Sequence, residues 1–157
     1  FVENYRRLTR IPAPIRTQIS IAELFTDLKK LFPGEEFQFE IPSPELKLNV
    51  DRTQIEQILI NLLKNAREAC SRKSDKKIQV KVKRLSAGNT TLTISYTVEG
   101  ILPDVLDKIF LPFFTTKTSG SGIGLSLCKQ IMTLHEGSIN VKSEVGKGSS
   151  FILTFPK

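Results

Sequence analysis

The sequence contains few of the residue types on which common functional sites depend. It has no tryptophan, one histidine (His135), and two cysteines, Cys70 and Cys128, which lie far apart without CxxC spacing. Each cysteine falls in a helical pattern, which favours buried free thiols in a reducing compartment. No stretch approaches the roughly 18 apolar residues of a membrane span, and no signal-like segment opens the chain. Because the only methionine is Met132, Phe1 is not a natural start, and we expect a part of a longer protein.

The composition is that of a globular domain. The 157 residues are 39% hydrophobic and 25% charged, which is enough to bury a core and fits one domain. Lys and Arg number 23 against 16 Asp and Glu, a surplus of 7. Because the basic residues are scattered, a solvated surface or attraction to phosphate ligands explains the surplus better than nucleic-acid binding. We therefore predict no nucleic-acid partner.

Hydrophobic periodicity predicts a mixture of helices and strands. Ser20-Ile-Ala-Glu23 has the pattern of a capping box, Asp51 is a candidate N-cap, and Ala87-Gly-Asn89 suits a hairpin turn. Residues 111–121 show no periodicity and are predicted to form a mobile loop. The predicted strands cover residues 37–41, 46–50, 77–85, 91–98, 138–143 and 149–155, and residues 17–20 are predicted to be a short extended segment. The predicted helices cover residues 20–32, 52–71, 105–109 and 122–134. This order predicts an α+β two-layer sandwich, with a mixed, mostly antiparallel sheet covered on one face by about three helices.

Polar residues follow one edge of the apolar face of the helix predicted after Asp51. On a helical wheel Gln54, Asn61 and Asn65 lie close together, with Gln57 and Glu68 just beyond. Asn is a poor helix former, so this row requires an explanation. Either the side chains cap or bridge to neighbouring loops, or their amide oxygens face a cleft and hold Mg²⁺ with its waters beside phosphates.

A glycine-rich segment, Ser119-Gly-Ser-Gly-Ile-Gly-Leu125, opens the last predicted helix. It is not a Walker loop, because no Gly-Lys-Ser/Thr follows, and it lacks the βαβ setting of a dinucleotide fold. Bare backbone amides at a helix N-terminus attract phosphate oxygens, and Lys117 adds a positive charge nearby. The alternative is a flexible loop that leads into a core helix.

Three segments together carry a resemblance to a known family. Residues 61–66 (NLLKNA) resemble an N box, residues 108–117 (KIFLPFFTTK) an F box, and residues 120–125 (GSGIGL) a second glycine box. In this order they resemble the catalytic ATP-binding domain of bacterial sensor histidine kinases, in the gyrase–Hsp90–MutL ATPase superfamily. Residues 1–12 are similar to the end of the second dimerisation helix of nitrogen-regulation-type kinases. The resemblance implies a Bergerat-type fold over residues 15–157, preceded by a helix end and linker over residues 1–14.

The resemblance also implies ATP and Mg²⁺ as cofactors, held between the N-box helix and a mobile lid. Asn65 would be the metal ligand and Asn61 its polar neighbour. Ile109 and Phe114 would lie near the base, while Lys117 and the amides of the glycine box would reach the phosphates. The implied ATP-binding residues are Asn61, Asn65, Glu68, Gly100, Ile109, Phe114, Thr116, Lys117, Gly120, Gly122, Ile123, Gly124 and Leu125.

The first glycine box departs from the family pattern, Asp-x-Gly-x-Gly. Aligning its last glycine with Gly100 places Tyr96 at the acidic position and Val98 at the first glycine. In the family that Asp accepts a hydrogen bond from the adenine amino group. Losing such a bond costs about 1.5–3 kcal/mol, or one to two decades of affinity.

Two functions are therefore compared. The first is an ATP–Mg²⁺-binding histidine kinase domain, which passes the γ-phosphoryl to a histidine on a dimerisation domain upstream; His135 is interpreted as a packing or capping residue. The second is a degenerate module that binds ATP weakly or not at all and regulates through protein contacts. The first implies a homodimer with its own phosphoacceptor domain, a response regulator as partner, and a cytoplasmic location, free or attached to a membrane-bound sensor.

Overall fold

The computed structural model describes residues 11–69, 77–96, 124–144 and 148–156. The described ranges contain three helices and seven strands. The helices are α1 (Ile21–Leu31), α2 (Arg52–Ala69) and α3 (Gly124–Leu134), and the strands are β1 (Thr17–Ser20), β2 (Phe37–Glu40), β3 (Lys47–Val50), β4 (Ile78–Arg84), β5 (Thr90–Tyr96), β6 (Ser138–Glu144) and β7 (Gly148–Phe155). The predicted elements are confirmed wherever they fall in these ranges, with ends shifted by one or two residues.

Five strands form the main sheet, in the order β2-β4-β5-β7-β6. The β2–β4 pair is parallel and the other three pairs are antiparallel, which confirms the predicted mixed, mostly antiparallel sheet. Strands β1 and β3 form a separate antiparallel pair, in which Thr17 lies opposite Val50. That pairing brings the beginning of β1 next to the residue before Asp51.

The core lies on one side of the main sheet, where the helices pack. In β5, Leu92, Ile94 and Tyr96 are buried while the alternate residues are half-buried, as expected for a sheet with one covered face. The apolar face predicted for α2 is buried at Ile55, Ile58, Leu59, Leu62 and Ala66, and Leu63 is buried as well. A helix that packs against both a sheet and another helix is buried over a wider arc than a single stripe.

Local signals in the sequence place the element boundaries. The Ser20 side chain accepts a hydrogen bond from the backbone N–H of Glu23 (3.3 Å) and caps α1. Gly88 has a φ of 96° in the turn between β4 and β5, a conformation that glycine adopts readily.

None of the helices described is long and apolar enough to cross a membrane. The helix predicted over residues 105–109, the loop over residues 111–121 and Cys70 fall outside the described residues.

Candidate functional site

Helices α2 and α3 run antiparallel, as two contacts between them show. The backbone N–H of Asp51, just before α2, donates to Nε2 of His135, just after α3 (3.0 Å). Seven residues further on, the thiol of Cys128 in α3 points at the carbonyl of Ile58 in α2 (4.0 Å). Because the residue numbers run in opposite directions at these contacts, the first turn of α3, residues 124–127, is level with residues 59–62 of α2.

This pairing brings the two sequence-predicted parts of the site together. Gly124 begins α3, four residues or about 6 Å before Cys128. Asn61 lies on α2 at the same level and Asn65 about one helical turn further on, and both are half-buried. The beginning of α3 therefore lies beside the Asn61 carboxamide, with Asn65 one turn further on, which combines a helix N-terminus suited to anions with oxygen ligands.

The side chain of Asn61 is held from the α3 side. It hydrogen-bonds the thiol of Cys128, which is completely buried. Burial raises the pKa of this thiol to about 12, and the Asn61 hydrogen bond only partly opposes that rise. The cysteine is thus a neutral thiol in contact with a predicted site residue. The sequence predicted only that Cys128 lies in a helix, and nothing in it indicated a contact with Asn61.

The other members of the polar row have different environments. Gln54 is only 7% exposed and donates from Nε2 to the carbonyl oxygen of Pro12 (2.8 Å). For Gln54, the bridging interpretation is therefore confirmed. Gln57 and Glu68 are exposed.

The single histidine has a structural role. His135 is 2% exposed, its Nε2 accepts the Asp51 N–H, and its Nδ1 lies 2.9 Å from the carbonyl oxygen of Ile131. Because a backbone N–H can only donate and a carbonyl can only accept, the ring carries its proton on Nδ1. Both ring nitrogens are engaged inside the protein, which confirms the packing interpretation of His135.

Tyr96, which the sequence alignment on Gly100 places at the acidic position of the family pattern, belongs to the core. It is the last residue of β5, pairs with Ile78 and Ser149, and is 7% exposed. Its ring lies on the inner side of the sheet with Ile94, because alternate residues of a strand face the same side. If that alignment holds, a buried phenol takes the place of the family's carboxylate.

Asp51 organises the beginning of α2. Its Oδ1 accepts the N–H of Gln54 (3.2 Å), which confirms the predicted N-cap, and its Oδ2 accepts the N–H of Ile15 (2.9 Å). The Ile15 hydrogen bond is the main reason that the pKa of Asp51 is lowered, and the backbone N–H groups of Gln54 and Thr53 lower it further against the effect of burial. This second role of Asp51, as an acceptor for a distant segment, was not predicted.

The structure describes five of the thirteen predicted site residues: Asn61, Asn65, Glu68, Gly124 and Leu125. The N-box and glycine-box members of this set lie on adjacent helices, as outlined above. The others lie outside the described residues, as does Val98, and their roles stay predictions. They are Gly100, Ile109, Phe114, Thr116, Lys117, Gly120, Gly122 and Ile123.

Comparison with known proteins finds similar chains among histidine kinases. The sensor histidine kinase ZraS of Salmonella typhimurium is 37% identical over 110 residues, which is 70% of this chain and 23% of that protein. The chain thus spans about a quarter of this curated relative. The catalytic domain of the histidine kinase ThkA is 33% identical with a TM-score of 0.79, covering 90% of this chain and 95% of that one. A structure of ThkA in complex with the response regulator protein TrrA is 28% identical with a TM-score of 0.79, covering 99% of this chain and 46% of that one.

A family model covers more than half of the chain. Residues 50–157 match the histidine kinase-, DNA gyrase B-, and HSP90-like ATPase family. The matched region begins at the end of β3 and includes both helices of the site. The chain therefore belongs to this ATPase family and has the α+β fold of histidine kinase catalytic domains.

Proposed function

We propose that this chain is the ATP–Mg²⁺-binding catalytic domain of a sensor histidine kinase. The observation that carries the proposal is the antiparallel pairing of α2 with α3, which brings Asn61 level with the first turn of α3, with Asn65 about one helical turn further on. Amides that begin a helix bind phosphate oxygens, and carboxamide oxygens suit Mg²⁺. In a bound Mg²⁺–nucleotide complex, the helix amides would contact the phosphates and the carboxamide oxygens would contact the Mg²⁺ ion.

The donor set fits Mg²⁺ better than a metal that needs a protein cage. Within the described ranges no three His, Cys, Asp or Glu side chains form a metal-binding group. Mg²⁺ accepts one or two protein oxygens and keeps waters and phosphate oxygens as its other ligands. When bound, the ion neutralises phosphate charge, and Asn65 would supply a protein oxygen. The amides of Gly124 and Leu125 would hold the phosphates in place, because phosphoryl transfer depends mainly on positioning and charge neutralisation.

The acceptor of the γ-phosphoryl is proposed to be a histidine on an upstream dimerisation domain. His135 does not suit that role, because both of its ring nitrogens are hydrogen-bonded inside the protein. The similarity to ThkA, whose structure contains a response regulator, supports a response regulator as partner. A homodimer with its own phosphoacceptor domain and a cytoplasmic location are further parts of this proposal. The helix end and linker over residues 1–14, and the catalytic domain over residues 15–157, remain our proposed division of the chain.

The alternative is a degenerate module that regulates through protein contacts. The observation in its favour is Tyr96, which is buried where the family pattern places a carboxylate. The two functions differ in whether the domain binds nucleotide at all. We favour nucleotide binding, with reduced affinity and reduced selectivity for adenine, because the helix with the N box packs against the helix that follows the glycine box.

Calorimetric titration with a non-hydrolysable ATP analogue, with and without Mg²⁺, distinguishes the catalytic domain from the regulatory module. We expect binding that depends on Mg²⁺ and that Asn65→Ala weakens about tenfold or more. The melting temperature of Asn65→Ala should stay within a few degrees, since Asn65 is only half-buried. Gln57→Ala, at an exposed position of the same helix, is the matched control and should bind as the wild type does. Absence of heat at millimolar analogue would favour the regulatory module. A large loss of stability with unchanged binding would show that Asn65 is structural.

A further inference from the structure

Residues 11–16, through which the chain enters the domain, are fastened to the beginning of α2. The Gln54 side chain donates to the carbonyl oxygen of Pro12 (2.8 Å), and the N–H of Ile15 donates to the carboxylate of Asp51 (2.9 Å). The acceptor, Asp51, is the N-cap of α2, and the donor, Gln54, lies in the first turn of the same helix. We call these four residues the entry clamp.

The entry clamp is also connected to the end of α3. Arg16 donates from Nη2 to the carbonyl oxygen of Leu134 (3.0 Å), a favourable place for a cation because the C-terminal carbonyls of a helix carry partial negative charge. The backbone N–H of Asp51 reaches His135, which follows Leu134. The entering segment therefore contacts the ends of both helices that carry the proposed site.

The geometry of Gln54 indicates that the entry clamp does more than stabilise the fold. Its Nε2 must face the Pro12 carbonyl, because a carbonyl only accepts, and its buried Oε1 then has no hydrogen-bond partner among the described residues. A buried acceptor without a partner destabilises the folded state. An apolar residue of the same length would avoid that cost, so a Gln here sacrifices stability for a contact with the entering chain.

Helix α2 joins the entry clamp to the site as one rigid element. Asn61 and Asn65 lie ten and fourteen residues after Asp51, or about 15 and 21 Å along the helix axis. Any segment fixed at the cap of α2 is thereby fixed relative to these asparagines. A loose connection at residues 11–16 would leave that relation undefined.

We propose that Gln54 and Asp51 are positioning residues for phosphoryl transfer, which hold the chain that enters at residues 11–16 in a fixed orientation to the helix bearing Asn61 and Asn65. This inference rests on the proposed function, in which the phosphoacceptor histidine lies upstream of the entry clamp. Neither residue touches nucleotide. They act by keeping the acceptor-bearing part of the protein in register with the nucleotide site, and productive geometry is what makes such a transfer fast.

The test is Gln54→Met in the full-length protein, assayed for autophosphorylation with ATP. Met keeps the length of the side chain and the helix propensity but cannot donate to Pro12. We expect kcat to fall about fivefold or more and KM for ATP to change less than about twofold. The melting temperature should stay the same or rise, because the unpaired Oε1 is removed. Gln57→Met makes the same replacement at an exposed position of α2 and should leave both constants unchanged.

A second variant removes a hydrogen bond of the entry clamp without touching the core. Ile15→Pro deletes the backbone N–H that donates to Asp51, and its side chain is 78% exposed, so little packing is lost. Ile15→Ala, which keeps the N–H, is its control. We expect Ile15→Pro to lower kcat as Gln54→Met does and Ile15→Ala to have no effect.

The outcomes separate this inference from the proposed function. An unchanged kcat in Gln54→Met and Ile15→Pro overturns the positioning role while nucleotide binding stands. A raised KM with unchanged kcat overturns it too, because the residues would then serve nucleotide affinity. A wild-type protein that binds no ATP overturns the proposed function and the transfer role with it. Hydrogen exchange without ligand then tests the clamp alone: the Ile15 amide should exchange faster in Gln54→Met than in Gln57→Met, and equal rates would show that the clamp does not hold.

Discussion

The carboxylate of Asp51 joins two parts of the structure, and removing it should therefore cost more than removing an ordinary helix cap. Asp51→Ala eliminates the cap on Gln54 N–H (3.2 Å) and the acceptor for Ile15 N–H (2.9 Å). A lost N-cap costs about 0.5–2 kcal/mol and a further hydrogen bond about 0.5–1.5 kcal/mol. We expect a loss of about 2–3 kcal/mol in the free energy of unfolding, or about 4–10 °C in melting temperature for a domain of this size.

Two other substitutions separate the two contributions. Asp51→Ser keeps a side-chain oxygen for the cap but has no second oxygen for Ile15, so its loss should be about half as large. Ser20→Ala removes the cap of α1, where the Ser20 oxygen accepts a single N–H from Glu23 (3.3 Å), and should cost about 1 kcal/mol. Urea denaturation of the three variants, with m-values compared, measures these differences. If Asp51→Ser is as stable as the wild type, or Ser20→Ala as damaging as Asp51→Ala, the reasoning about the double role of Asp51 is refuted.

The pH dependence provides an independent check on the same carboxylate. The pKa of Asp51 is lowered below its ordinary value of 3.8, first by the Ile15 hydrogen bond. A group whose pKa is lower in the folded state than in the unfolded chain stabilises the fold at pH above its unfolded value. The stability advantage of the wild type over Asp51→Asn should thus be complete at neutral pH and disappear as the pH falls below about 4 through the folded pKa. A difference that stayed constant down to pH 2 would contradict the assignment.

Two further predictions concern the nucleotide pocket and the buried thiol. Tyr96→Asp combined with Val98→Gly restores the family pattern and should tighten ATP by about 2–4 kcal/mol and raise selectivity over GTP, as titration calorimetry would show. The melting temperature of this ligand-free variant should fall, because Tyr96 is part of the core; unchanged affinity in the folded variant would favour the regulatory module. Cys128 should react with Ellman's reagent at pH 8 only after unfolding, since it is fully buried and its pKa is raised to about 12. The measurement uses Cys70→Ser, which leaves Cys128 as the only thiol, and rapid reaction of that native variant would contradict the structure.

Most of the local structure follows from short-range patterns. The capping box at Ser20, the cap at Asp51 and the turn at Gly88 were all predictable, because each depends on hydrogen bonds or backbone conformations within a few residues. The alternation of β5 likewise identified its inner face, and the stripe of α2 identified most of the buried residues. These predictions succeeded because propensity and periodicity agree with the tertiary fold at these positions.

The candidate site was predictable in part for a different reason. Asn61 and Asn65 stood out because asparagine is unfavourable in a helix, and the glycine segment because it leads into α3. That these two features are level with each other depends on the contact of Asp51 with His135, which are 84 positions apart. Periodicity within one element contains no information about such a pairing.

Gln54 shows the limit of sequence reasoning most directly. On the helical wheel it is equivalent to Asn61 and Asn65, and the sequence alone grouped the three as one polar row. The tertiary structure separates them, because the chain that enters the domain passes over the first turn of α2 and places Pro12, 42 positions away, within hydrogen-bonding distance of Gln54. The sequence by itself thus determined the elements, their buried faces and the two halves of the site. Only the tertiary structure decided which polar side chains are level with the glycine helix and which hold the entering chain, because those choices depend on contacts between segments that are remote in sequence.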